Sequence, residues 1–472
     1  MAVFFKAGQE GIRPGVYHRY SKISSDVATG AIDGVCAIAI NSQWGPLGTV
    51  TTHNTAKSIT DTYGEAGTVA SALAMINGGA QTVYVCRAGS GGTQASLALK
   101  DAAGAEAATV TALYPGTIEL AVAIQTKISN ADKKEFIVYR NGEQVEKFTF
   151  AADGANEPQN LAAVAKESKY VTVAATGTGE LATVPVASGT LAGGADPTVT
   201  NDSYVTAWET LEPFAYNVIA LDTDDTAEME KALLLKAYLD TAYQTGKLCM
   251  AVFGVPSSVP FSERLALAGS LNSERMIFLG NGFKDANGNN VEGAAAICLA
   301  AGIIAATPAS QSIVHTVIAA ASDTIEKFTN AQYEEAILGG MLMLSTSADG
   351  KVWFDSGVNT LIAPAENQDE GWMKIRRVKT RFELMDRVDR AIAPKIGKIN
   401  ADADGFAYIK QLGLGVLIEM NREMKIAPEY SMELDPDYPA TSDSAWFIID
   451  AYDYDSLEKI YLHYRFSRVQ NV

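Results

Sequence analysis

Short apolar runs alternating with amphipathic stretches constrain this fold more than any other feature of the sequence. Residues 35–40 (Val-Cys-Ala-Ile-Ala-Ile) form an unbroken apolar run, 68–77 has helical spacing, and 82–86 is apolar again. The rhythm resumes with apolar runs at 216–221, 248–253 and 276–279, and with helical stretches at 227–243, 263–270, 293–306 and 331–344. Strands that are apolar on both faces, joined by helices, predict an open, mostly parallel sheet covered on both sides. Residues 95–200 break the rhythm. They are rich in Ala, Thr, Val and Gly and alternate like strands, and Asn141-Gly142 supplies the two positive-φ positions of a tight hairpin between 136–140 and 143–148. This stretch reads as a β-sandwich or barrel inserted into the α/β domain, with a flexible linker at Gly89-Ser90-Gly91-Gly92 and the return linker at 188–194. Beyond Pro364 the pattern changes to helices at 371–392 and 406–424, the second interrupted by Gly413 and Gly415, and then strands at 446–452 and 457–466.

The expected fold class is therefore multidomain: an α/β domain with an inserted β module, followed by an α+β domain. The boundaries read as an N-terminal arm at 1–25, the α/β domain at 26–95 and 200–362, the module at 96–199, the C-terminal domain at 366–452 and a C-terminal arm at 453–472.

Composition excludes several functions. A formal charge of −18 argues against coating nucleic acid, because phosphate binding needs a basic field. Cys36, Cys86, Cys249 and Cys298 lie far apart in apolar runs, as buried thiols do in a reducing compartment. No secretory leader and no membrane-spanning run is visible, so cytoplasmic synthesis without membrane insertion is expected. The chain lacks a phosphate loop, a nucleophile elbow and a His-Glu-x-x-His helix, and it has only four histidines. The Asp285 and Asn400 turns lack the glycine or the glutamate that a calcium loop needs. No catalytic, cofactor or metal residues are assigned.

The termini point elsewhere. Pro14, Gly15, Val16, Tyr17, His18, Arg19 and Tyr20 read as a short strand outside the globular body, as do Ile460, Tyr461, Leu462, His463, Tyr464, Arg465 and Phe466. Terminal strands expose unpaired backbone groups, which suits strand addition to neighbouring copies. A third feature is the basic helix: 371–398 carries nine Lys/Arg against three Asp/Glu. On a helical wheel Arg376, Lys379, Arg387 and Arg390 fall opposite the apolar face of Ile375, Val378, Phe382 and Met385.

Several of these segments carry a family resemblance. Arg13-Pro14-Gly15-Val16-Tyr17, Lys395-Ile396-Gly397-Lys398-Ile399-Asn400, the stretch 427–438 and Asp455-Ser456-Leu457-Glu458-Lys459-Ile460-Tyr461 resemble, in this order, contractile phage tail sheath proteins. The resemblance implies a helical homopolymer of many copies around a tail tube protein, bounded by baseplate and tail terminator proteins. It also implies contraction that drives the tube through a bacterial envelope, within a virion or a released tail-like particle. The terminal arms would then complete sheets in neighbouring copies, the basic helix would face the tube, and the β module would lie outermost. Two other readings remain open at this point: an enzyme or ligand-binding protein on an open α/β sheet, and another self-assembling shell or surface-layer subunit.

Overall fold

The computed structural model describes residues 3–4, 17–18, 33–223, 229–441 and 443–466. The chain divides into a larger unit, Ile32–Phe382 with Asp455–Val472, and a smaller one, Met1–Ala31 with Glu383–Tyr454.

The larger unit is built on a seven-stranded sheet: β1 (Val35–Ile40), β2 (Val50–His53), β3 (Thr82–Arg87), β4 (Val218–Ala220), β5 (Met250–Phe253), β6 (Met276–Leu279) and β7 (Met341–Leu342). Their spatial order is β7-β6-β5-β4-β1-β3-β2. All neighbours are parallel except the edge pair β2–β3. Side chains alternate across a strand, so β1 sends Cys36, Ile38 and Ile40 into one core and Ala37 and Ala39 into the other. Helices Ala56–Tyr63, Val69–Asn77 and Ala294–Ala306 cover the first face, and Asn201–Leu211, Glu230–Gln244, Phe261–Leu271 and Asn330–Leu338 the second. Hydroxyl caps start several of them. Thr55 accepts from the Ser58 amide, and Thr200/Ser203 and Thr329/Gln332 form reciprocal boxes.

Ala294–Ala306 is apolar all round, and nine of its residues are buried. It crosses Val69–Asn77 with almost no side chains in between, because a Cβ at Gly302 would overlap the Met75 carbonyl and one at Gly78 the Leu299 carbonyl. Gly302→Ala is therefore expected to push two packed backbones apart and to cost about 1–3 kcal/mol. Urea unfolding checks this, and an unchanged midpoint would show that the crossing is not tight.

The inserted module is a pair of three-stranded antiparallel sheets. One orders Glu143–Ala151, Lys133–Arg140 and Leu120–Thr126; the other orders Val171–Ala175, Glu106–Ala112 and Ser96–Lys100. They enclose their own core, centred on Leu99, Val110, Val122, Phe136, Val138 and Leu161. Asn141 and Gly142 both take positive φ at the hairpin tip, as their sequence requires. Neither linker is loose. Outgoing and returning chains pair at Ser90↔Thr198 and Thr93↔Ala195, and the 188–194 stretch bridges both sheets through Thr190↔Ala121 and Ala192↔Ser96. Gly189 permits this, since a side chain there would collide with the Val122 carbonyl.

In the smaller unit, helix Ala403–Arg422 lies against a two-stranded antiparallel sheet, Ser431–Leu434 with Phe447–Asp450. Val416, Leu417, Met420, Ile426 and Met432 make its core, together with Ala391. Gly413 does not interrupt the helix; it is buried and faces the Met432 thioether, where a side chain would not fit. The unit boundary falls within helix Ile375–Ile392 and not near residue 366. The reason is packing: Ile375, Val378 and Phe382 belong to the large core, whereas Leu384, Val388 and Ala391 pack in the small one.

Candidate inter-subunit surfaces

The C-terminal segment is extended and largely unburied. Leu457, Ile460, Tyr461, Leu462, Tyr464 and Phe466 are 68–93% exposed, and His463 and Arg465 are exposed with them. It forms no strand within its own subunit, which differs from the strand expected at 457–466; a β-rich sequence becomes a strand only when an edge is available to pair with. At the N-terminus, Tyr17–His18 does form a strand, paired in parallel with Val3–Phe4. Pro14, Gly15, Val16, Arg19 and Tyr20 lie outside the described residues.

The small sheet supplies open edges. Ser431↔Asp450 through Leu434↔Phe447 pair with each other, and among the described residues no further strand joins either side. One face, with Phe447, Ile449 and Ala451, packs on the unit's core. The opposite face presents Trp446, Ile448 and Tyr452, which are 41%, 40% and 62% exposed. A two-stranded sheet is marginal alone, and an apolar face on it is a docking signal.

The basic helix differs from its sequence reading. Lys379 is 7% exposed, and its ammonium donates to the carbonyls of Ile304 (2.7 Å), Ala305 (3.4 Å) and Thr307 at the end of helix Ala294–Ala306. There it satisfies orphan carbonyls at the negative end of the helix dipole. Arg387 is 2% exposed and sits in an ion network: it lies 2.5 Å from Glu383 and makes two bonds to Glu423 at 3.0 and 2.7 Å. Lys425 closes the network with Glu383 at 2.7 Å and Glu423 at 2.8 Å. Although burial opposes its charge, the Glu423 carboxyl is held below the usual range by Arg387 and Lys425. Arg390 pairs with Asp386 one turn away, and Arg376 donates to the Ser456 hydroxyl at 2.7 Å. The single exposed basic face expected from the helical wheel is thus not present. Two of its four members are buried, each matched to a group remote in sequence.

The module's base is fastened to the sheet domain. The buried Arg87 guanidinium at the end of β3 donates to the carbonyls of Ser42, Gly45 and Pro115 (2.6–3.0 Å). Arg140 reaches the carbonyls of Thr60 and Asp61, and Trp44 packs edge-on to Tyr114 and stacks on Tyr170. All four cysteines are buried and none is in a disulfide; burial pushes the Cys36 and Cys249 thiols up to about 12. Among the described residues no helix is long and apolar enough to cross a membrane.

The comparisons with known proteins agree with this architecture. Residues 198–360 match the phage tail sheath protein central domain, and residues 90–196 the phage tail sheath protein beta-sandwich domain. The uncharacterized protein YqbK of Bacillus subtilis (strain 168) is 22% identical, covering 97% of this chain and 98% of its own. The solved sheath tail protein of Desulfitobacterium hafniense superposes with a TM-score of 0.67 at 20% identity, over 93% of this chain and all of that one. The anti-feeding prophage helical sheath in its contracted state gives 0.53 at 12% identity, over 97% and 99% of the two chains. With two sheath domains matched in series and the sheath fold shared along nearly its whole length, the chain belongs to the phage tail sheath protein family.

Proposed function

We propose that this protein is the structural subunit of a contractile tail sheath, which polymerises helically around a tail tube and shortens to drive that tube through a bacterial envelope. The observation that supports this most directly is a pairing of unfinished parts within one chain. Among the described residues, the smaller unit carries a two-stranded sheet with no further strand on either edge, and 457–466 is an apolar extended segment with no sheet of its own. Donated between copies, the 457–466 segment adds a strand, and the backbone ladder supplies affinity while alternate side chains select the register. The N-terminal arm, from Pro14 to Tyr20, acts in the same way on another copy. Strand ladders on extended linkers hold subunits together while rigid bodies rotate, so contraction needs no nucleotide site.

Baseplate and terminator proteins bound the polymer, and the β module lies on its outer side. The tube contact falls to the smaller unit, where Arg390 is the partly exposed member of the four basic candidates, with Lys410 and Arg422 on the neighbouring helix; Arg376, also partly exposed, belongs to the larger unit. Lys379 and Arg387 support the fold from inside. The family is one of structural sheath proteins, and the reading assigns no catalysis.

Negative-stain microscopy of the purified protein, alone and with its tube protein, tests this. Striated hollow cylinders are the expected result. Flat arrays or closed shells would move the protein to another class of assembly, and monomers under every condition would overturn the polymer reading.

A further inference from the structure

The arm is held at its root before it becomes free. Lys374 Nζ lies 2.6 Å from Asp455 Oδ2 and 3.2 Å from Glu458 Oε2. Arg376 Nη1 donates to Ser456 Oγ at 2.7 Å, and Ser312 Oγ to Glu458 Oε1 at 3.5 Å. Three polar residues face down onto the larger unit, and between them Leu457 points outward, 82% exposed. All four residues 455–458 belong to the same unit as Ser312, Lys374 and Arg376. Among the described residues nothing comparable holds the chain from Lys459 to Phe466, where Ile460 to Phe466 are exposed.

We propose that Ser312, Lys374 and Arg376 form a seat for the acidic segment 455–458, and that this seat sets the free length of the C-terminal arm. Seated, the arm swings from Glu458. Unseated, it swings from Tyr454, and each released residue adds at most about 3.4 Å of extended chain, so the arm gains roughly 13 Å of reach. The contacts suit a releasable catch. The Lys374 and Asp455 side chains keep 30% and 41% of their exposure, so the pairing is modest and screened by salt. Burial disfavours both charges, yet Lys374, the Ser456 amide and Arg377 together hold the Asp455 carboxyl below its usual range. At neutral pH the catch is therefore fully charged. It also gives Arg376 a partner on the arm and not on a tube. The use of the seat in a sheath rests on the function proposed above; its existence does not.

Trypsin reports the seat in the full-length monomer, because Lys459 follows it directly while Arg465 lies in the free arm and serves as an internal reference. In the wild-type chain cleavage after Lys459 should lag behind cleavage after Arg465. The Lys374→Asp/Arg376→Ser variant, or 0.5 M salt on the wild type, should raise the Lys459 to Arg465 rate ratio at least about fivefold, as the loss of two or three partly exposed contacts allows. Adding Asp455→Lys to that variant should restore part of the lag by rebuilding one pair with reversed signs. Equal ratios in all cases would overturn the proposal. A ratio that falls with protein concentration would assign the seat to a second copy's segment and overturn the intrachain assignment. Cylinder formation by the same variants is scored separately by microscopy, so a failure of the sheath reading and a failure of the seat give different results.

Discussion

Truncation after Glu458 is expected to give a soluble, cooperatively melting monomer that forms no cylinders. Each side of that result has a separate physical cause. The described residues that are removed bury almost nothing in their own subunit, since the apolar side chains from Ile460 to Phe466 are 68–93% exposed, so the monomer's melting midpoint should scarcely move. On the proposed strand addition the same side chains would go from water into a neighbour's sheet. Five side chains at about 1.5–3 kcal/mol each for full burial give an upper bound of about 15 kcal/mol per junction. Calorimetry and size exclusion check the first half and microscopy the second. Ordinary cylinders from the truncated chain would remove the arm from the assembly mechanism.

Arg387→Glu is expected to destabilise the smaller unit by about 3–5 kcal/mol or more, because removing one partner strands the other buried charges. The substitution would set a third carboxylate against Glu383 and Glu423 and leave Lys425 as the only cation of the four groups. Arg390→Glu, made one turn away on a side chain that is 33% exposed, should stay near 0.5 kcal/mol. Hydrogen exchange of the amides around Val416, Leu417 and Met420 reads the unit directly. Equal protection in both variants would show that the network does not support the core. Acid should mimic the effect. Glu423 titrates lower in the folded protein than in the unfolded chain, so its contribution is complete above the ordinary glutamate range, about pH 4.3, and is lost as the pH falls through its folded value.

The sheet was legible from sequence because its strands are apolar on both faces. Val35–Ile40 and Met276–Leu279 have the limits that their hydrophobic runs dictate. Elements that break the pattern were not visible. Val50–His53 is an antiparallel edge strand with two threonines and a histidine, so no apolar run marks it. The stretch 331–344 reads as one helix because its apolar positions continue past residue 338. The structure ends the helix at Leu338, turns at Gly339-Gly340 and uses Met341–Leu342 as β7 beside β6. The segment 457–466 reads as a strand from its aromatic and aliphatic residues but forms none within one chain, because strand pairing needs an edge that the sequence does not show. The charges on helix Ile375–Ile392 were the least legible feature. Glu423, which neutralises Arg387, and Lys425, which pairs with the same two carboxylates as Arg387, lie about forty residues downstream, and the acceptors of Lys379 are main-chain carbonyls about seventy residues upstream. A helical wheel includes neither, so it cannot distinguish a cation facing solvent from one facing a helix end.

The paired stem at Ser90↔Thr198 and Thr93↔Ala195 makes the module's two connections neighbouring strands, about one ladder spacing (~4.8 Å) apart. Whatever replaces the module need only begin and end on adjacent strands for the seven-stranded sheet to keep its register. A foreign β domain with that spacing between its termini would fit as a graft, provided that Trp44 is covered and that Arg87 keeps an acceptor in place of the Pro115 carbonyl. The stem is thus a socket with two mechanical requirements, through which a sheath built as proposed would carry many copies of an added domain along its length.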